Sequence, residues 1–219
     1  MSATDKQNYE LRPYQQRAMS EIKKALVDKY HTILIQSPTG SGKGVMLSHI
    51  INGCHEKGSS VLFLVHRKEI LYQVSDYLKS YGIEHGIIKA GIRHEDGHLV
   101  QLASFQTIYR RLKNPYIKQA DVVIVDECHH ATAKTFLAVI NQFKKQIVLG
   151  FSATPSRQNG VGLGNLFEVM IPVATIKELT DLGYLAPVRI SDALQKLRHK
   201  MTTSVLKHKV ETVLTLCFK

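Results

Sequence analysis

The sequence predicts an α/β fold, a doubly wound, mostly parallel sheet with helices on both faces, and three observations carry that prediction. Short apolar runs rich in β-branched residues recur through the middle of the chain, amphipathic stretches of helical period separate them, and a glycine-rich loop stands between one such run and the helix after it. Buried parallel strands read as continuous apolar runs rather than alternating ones, and right-handed crossovers put the connecting helices on the faces. Ligands then bind at the carboxyl edge of the sheet.

In chain order, a helix is expected over Pro13–Asp28, opening with Pro where a helix tolerates it. Thr32–Gln36 is the first strand, and Lys43–Lys57 the helix that follows it. Val61–His66 and Lys68–Tyr81 repeat the pair, and Gly86–Lys89 and Leu99–Ser104 add two more strands. Val122–Asp126, the helix Lys134–Lys144 and Ile147–Phe151 complete the expected sheet. The glycine-rich Asn159–Gly164 reads as a loop, Ile176–Leu182 as a helix and Gly183–Pro187 as a turn. Beyond it lie a basic helical stretch, Asp192–Lys209, and a strand-like Glu211–Phe218 with nothing after it to complete a sheet, which suggests a shortened chain.

The chain has 219 residues, with 29 Lys and Arg against 18 Asp and Glu, a net charge of +11. At 44% hydrophobic it can bury enough apolar surface to offset its ordering entropy, which argues against disorder. The length suits one full domain plus an appendage: residues 1–187 and residues 188–219. No apolar run approaches the ~18–20 residues that cross a bilayer, and the first residues lack a secretory pattern, so an intracellular protein without a membrane partner is expected. Cys54, Cys128 and Cys217 are odd in number and far apart, fitting neither a disulfide framework nor a paired zinc site. The excess of positive charge admits a polyanionic partner.

The most informative stretch is Ser37-Pro-Thr-Gly-Ser-Gly-Lys-Gly44, between an apolar strand and an amphipathic helix. Ser37, Pro38, Thr39, Gly40, Ser41, Gly42, Lys43 and Gly44 form a loop whose amides turn inward at a helix start, with Lys43 as a mobile cation for the β- and γ-phosphates of ATP. The strict pattern has Gly first and Ser or Thr after the lysine, whereas Ser37 and Gly44 stand here. The hydroxyl missing at Gly44 is the one that ligates Mg²⁺, so a slow or Mg²⁺-demanding ATPase is expected.

Asp121-Val-Val-Ile-Val-Asp-Glu-Cys-His-His130 is an apolar strand ending in two carboxylates. Asp126 suits the Mg²⁺ hydration shell, through water, and Glu127 the attacking water. Contiguous Cys128, His129 and His130 seldom wrap a zinc ion, and His129 is read instead as standing near the γ-phosphate. Phe151-Ser-Ala-Thr-Pro-Ser-Arg157 brings the hydroxyls of Ser152 and Thr154 to the same edge.

Taken in order, these motifs resemble the first RecA-like motor domain of a superfamily 2 helicase or translocase of the DECH-box type. The resemblance spans roughly Tyr9 to Pro187 and is strongest to the group of type III restriction motor subunits and the RadD and XPB repair helicases. It implies a P-loop NTPase fold, Mg-ATP as substrate, and Arg12 and Gln15 of Leu11–Gln16 at the adenine base. It implies that Ser152 and Thr154 couple hydrolysis to strand movement. Leu64–Ile70 and Ala103–Ile108 match the family's strand-binding motifs, implying His66, Arg67, Ser104, Gln106 and Thr107 at a nucleic-acid backbone. The residues alone favour a solvated helix start and plain helix caps over strand contacts.

With no Trp and few aromatics, backbone tracking is favoured over base stacking. The basic Lys196–Lys200 and Lys207–Lys209 read as a solvated face rather than a second patch. The expected activity is an ATP-dependent helicase or translocase, on DNA in preference to RNA, weak in this lobe because the family's arginine fingers belong to a second RecA-like domain. A nucleotide-dependent clamp with little turnover is the rival. A P-loop small-molecule kinase would leave the Asp-Glu-Cys-His and Ser-Ala-Thr elements unexplained.

Overall fold

A computed structural model describes residues 10–88, 97–112, 120–130, 133–143, 145–154, 163 and 166–187. The chain divides into two units, Met1–Tyr184 and Leu185–Lys219, and all the elements below belong to the first. The expected loop Asn159–Gly164, apart from Leu163, and the expected elements from Asp192 to Phe218 lie outside the described residues, as does the end of the third strand at Lys89.

The elements run α1 (Pro13–Val27), β1 (Thr32–Gln36), α2 (Lys43–Glu56), β2 (Val61–Val65), α3 (Lys68–Ser80), β3 (His85–Ile88), β4 (Val100–Ser104), α4 (Phe105–Arg110), β5 (Val122–Val125), α5 (Ala133–Ile140), β6 (Ile147–Ser152), β7 (Val169–Pro172) and α6 (Ile176–Asp181). Helix α1 starts as its Pro at the first position predicts, and Gln15 reaches back to accept from the Arg12 amide at 2.9 Å, half of a capping box. At α6 the Thr175 hydroxyl caps the Glu178 amide at 3.0 Å.

Seven strands form one sheet in the order β3-β4-β2-β5-β6-β1-β7, and every pairing is parallel. Strands β2 and β5 are buried at every position, as a sheet covered on both faces requires. One face packs Leu34, Leu62, Leu64, Val123 and Val125 against Ile108 of α4 and Val139 and Ile140 of α5. Residues of opposite pleat, such as Ile33, Ile35, Phe63 and Ile124, are equally buried, with α2 and α3 both touching β2.

Two elements differ from expectation. Helix α4 is only six residues, below the length at which periodicity separates helix from loop. Strand β7 is new, and its Pro172 is tolerated because β7 is an edge strand. Glu168 ties β7 to β1: its carboxylate accepts from the amides of His31 at 2.6 Å and Thr32 at 2.8 Å. Among the described residues no helix is long and apolar enough to cross a membrane.

The strand order fixes the site. At the carboxyl edge Val65 of β2 lies opposite Ser104 of β4, Leu64 opposite Val125 of β5, Val125 opposite Gly150 of β6, and Gln36 of β1 opposite Ser152. Reading across the edge, the strand ends are Ser104, then Val65 and His66, then Asp126 and Glu127, then Ser152, then Ser37.

Candidate active site

The loop after β1 is held from within. The Ser37 amide donates to the Ser152 carbonyl at 2.9 Å, and the buried hydroxyls of Ser37 and Ser41 lie 2.6 Å apart. Gly42 closes the loop in the left-handed region at φ 74°, where an added Cβ would fall 2.5 Å from Gln15 Nε2. Gly44 is different, because a Cβ there would meet no heavy atom within 4 Å.

Lys43, the first residue of α2, meets both expected carboxylates. Its ammonium donates to Glu127 Oε1 at 2.5 Å and lies 2.7 Å from Asp126 Oδ1. Burial lowers the lysine's proton affinity, but Asp126 and then Glu127 more than reverse this, so its pKa lies above the ordinary value and it stays charged. Asp126 is buried to 3% exposure, and a buried carboxylate without a cation is costly. Glu127 takes φ 48°, a left-handed conformation rare outside glycine, and this turn places its carboxylate at Lys43.

A second line of contacts leaves Glu127. The Ser152 hydroxyl donates to the Thr154 carbonyl at 2.5 Å, so the His129 Nδ1 at 2.8 Å must be the donor to Ser152 Oγ. The same nitrogen lies 3.3 Å from Glu127 Oε2. Lys43, Glu127, His129, Ser152 and the Thr154 backbone therefore form one connected network between the tips of β5 and β6. Cys128, within this turn, is fully buried, and burial, then the charges of Glu127 and Asp126, pushes its thiol up to about 12. It is packing, not chemistry.

At the other side of the loop, Gln15 is spent on the protein. Its amide nitrogen donates to the carbonyls of Ser41 at 2.8 Å and Gly42 at 3.2 Å. Arg12 donates to the Tyr14 hydroxyl at 3.0 Å and lies 3.8 Å from the Tyr184 ring centroid, and the Tyr14 hydroxyl donates to Ser41 O at 3.1 Å. The expected base-recognition element thus braces the phosphate loop through Tyr14 and Gln15. Tyr14 and Tyr184 were not singled out in the sequence, since an isolated tyrosine carries no spacing signal.

The expected strand-binding residues collect at the ends of β2 and β4. The Ser104 hydroxyl donates to Gln106 Oε1 at 2.7 Å, and Gln106 Nε2 reaches the His66 carbonyl at 3.5 Å. Arg67 and Gln106 are exposed, whereas Ser104 and Thr107 are buried. The His66 ring stacks on buried Phe105, centroids 4.7 Å apart. A cavity of 270 Å³ joins the two regions, lined by Thr39, His66, Arg67, Asp126, Glu127 and His129, among others. A larger hollow of 680 Å³ lies at the opposite end of β3, by Ser75, His85 and His98, and shares no residue with the site.

The donor set fits Mg²⁺. Asp126 and Glu127 offer hard carboxylate oxygens beside the loop expected to bind phosphate, and Mg²⁺ is commonly held by one or two carboxylates with waters and substrate phosphate completing its shell. Among the described residues no cluster of three or more His, Cys, Asp and Glu is placed to hold a metal, so the protein would contribute few direct ligands.

Known proteins resemble this chain in sequence and in fold. A family model described as type III restriction enzyme, res subunit, matches residues 8–157. A 51.5 kDa protein of a Lactococcus phage (isolate 7-9) is 34% identical over 171 residues, covering 76% of this chain and 35% of that protein. The ATP-dependent DNA helicase Hel308 of Methanocaldococcus jannaschii is 29% identical over 170 residues, covering 66% of this chain and 14% of the relative. The chain thus spans 35% or less of the length of either. The UvsW helicase of bacteriophage T4 shares the fold, with TM-score 0.60 at 19% identity over 75% of this chain and 60% of the other. The chain therefore belongs to the family described as type III restriction enzyme, res subunit, and it has the RecA-like fold of the helicase structure that it resembles.

Proposed function

We propose that the chain binds Mg-ATP at Ser37–Gly44 and hydrolyses it to translocate along or remodel nucleic acid, DNA in preference to RNA. In this reading residues 1–187 are the motor domain, and residues 188–219 lead toward a second RecA-like domain. The carrying observation is the Lys43 ammonium held between Asp126 and Glu127 at the mouth of the sheet. Phosphates entering there meet the loop amides and Lys43, which must release part of its grip on the carboxylates to reach them. When bound, Mg²⁺ neutralises developing phosphate charge.

Asp126 holds the metal shell, and Glu127 orients the attacking water and takes up its proton. His129 then links the state of Glu127 to Ser152 and Thr154. Arg67 and Gln106, the exposed pair at the neighbouring strand ends, contact phosphates of the track without reading bases. One relative is named as a DNA helicase and another as an RNA helicase, so the preference for DNA is decided by the strand titration below.

The test is titration with a fluorescent Mg-ATP analogue, followed by phosphate release with and without single-stranded DNA, duplex DNA and RNA. Absence of nucleotide binding refutes the reading. Binding to the track should weaken with salt, log affinity falling by about 0.7–0.9 per phosphate neutralised for each tenfold rise. Gly44 favours a second reading, a nucleotide-dependent clamp, which would show ATP-dependent strand binding without stimulated phosphate release.

A further inference from the structure

Strand order makes one residue the physical boundary between the nucleotide site and the track. Strand β2 has β4 on one side and β5 on the other. Extending the register by one position past Val65–Ser104 brings His66 level with Phe105, and extending Leu64–Val125 by two brings it level with Glu127. The side chains agree with the backbone. The His66 ring stacks on Phe105 at 4.7 Å and an interplanar angle of 23°, and His66 also lines the 270 Å³ cavity with Asp126, Glu127 and His129. Its carbonyl accepts from exposed Gln106.

Phe105 is 2% exposed and opens α4, directly after Ser104, so displacement of α4 by a strand moves the ring against which His66 is stacked. Packed interiors transmit displacement rather than absorb it.

We propose that His66 is a positioning residue that couples occupancy of the track at the β4–α4 edge to the carboxylates at the tip of β5, rather than a contact to the track itself. This rests on the function proposed above. Strand and nucleotide affinities are then linked through the stack, and by reciprocity each ligand changes the affinity of the other by the same factor.

The experiment measures Kd for a fluorescent, non-hydrolysable Mg-ATP analogue with and without a saturating single-stranded DNA oligonucleotide, so it needs no turnover. In the parent chain the oligonucleotide is expected to change nucleotide affinity by about 5-fold or more. His66→Ala should bring that ratio to within about twofold of unity, with each ligand's separate affinity nearly kept and thermal unfolding still cooperative. His66→Phe keeps the stack and should recover most of the ratio. Phe105→Leu keeps an apolar core residue but loses the stack, and should behave as His66→Ala does.

A His66→Ala chain that binds oligonucleotide weakly but retains full coupling at saturation would make His66 a strand contact and overturn the proposal. So would a parent that binds both ligands independently. A parent that binds no nucleotide overturns the proposed function as well.

Discussion

In the proposed site Gly44 occupies the position from which a hydroxyl would reach Mg²⁺, and introducing that hydroxyl is the sharpest test of the site's chemistry. Gly44→Ser and Gly44→Thr are sterically free, because an added Cβ meets nothing within 4 Å and Gly44 is not among the left-handed glycines. It is the second residue of α2, in the first turn, where Ser or Thr is accommodated without breaking the helix. Any change in turnover is therefore not a folding defect.

A direct metal ligand that strengthens as charge develops on the transferred phosphoryl group is worth about 1–3 kcal/mol in the transition state, a 5- to 150-fold rise in rate. Phosphate release is measured across a Mg²⁺ titration with DNA present. The expected result is a higher kcat and a lower Mg²⁺ requirement, with Lys43→Ala inactive as the control. If both variants match the parent in rate and Mg²⁺ dependence, water already fills the ligand position and the reasoning about Gly44 is refuted.

Gly42→Ala combines a φ of 74° with a Cβ placed 2.5 Å from Gln15 Nε2, so it should lower stability by about 1 kcal/mol or more and weaken nucleotide binding about tenfold. Thermal melts and nucleotide titration check it, and parent-like affinity would show that the Gln15 brace does not shape the loop. Of the two described cysteines, Cys54 should alkylate in the native protein while fully buried Cys128 resists until denaturant is added, as peptide mapping would show. The raised Cys128 pKa also means that its contribution is complete below the ordinary thiol pKa of 9.0 and is lost as pH climbs toward about 12, so unfolding at alkaline pH should be steeper in the parent than in Cys128→Ala. Asp121 and Glu168 run the other way. The Ser60 amide, then its hydroxyl, lowers the first, and the Thr32 amide chiefly lowers the second, so their stability is present above about pH 4 and lost as pH falls through the depressed values. Urea melts of Asp121→Asn and Glu168→Gln should lose less stability on acidification than the parent, and equal losses would refute the assignment.

Most of the candidate site's geometry was legible because it depends on local sequence in fixed order: a loop between strand and helix, and two carboxylates at the end of an apolar run. Lys43, Asp126 and Glu127 could be named before their contacts at 2.5–2.7 Å were known. What could not be read is what depends on register between distant segments. Nothing in Leu11–Gln16 shows that Tyr14 and Gln15 bond to the loop some 26–27 residues later, or that Arg12 meets the ring of Tyr184. The left-handed Glu127 was equally invisible, since no glycine marks it. Strand β7 had a signal, the run Val169-Met-Ile-Pro-Val173, but its proline reads as a breaker until the strand is known to be an edge.

His66 shows how the two kinds of information combine. Sequence places it beside Arg67 at the start of a helix, where both look like phosphate contacts, and only strand order separates them. Neighbouring strands are about 4.8 Å apart, so the end of β4 and the tip of β5 are about 10 Å from each other with β2 between them. His66, on the strand between them, stacks on Phe105 and lines the cavity with Glu127. For the proposed motor, sensing its track while holding nucleotide therefore needs no long relay through this lobe, because the sheet sets the two proposed sites one strand apart.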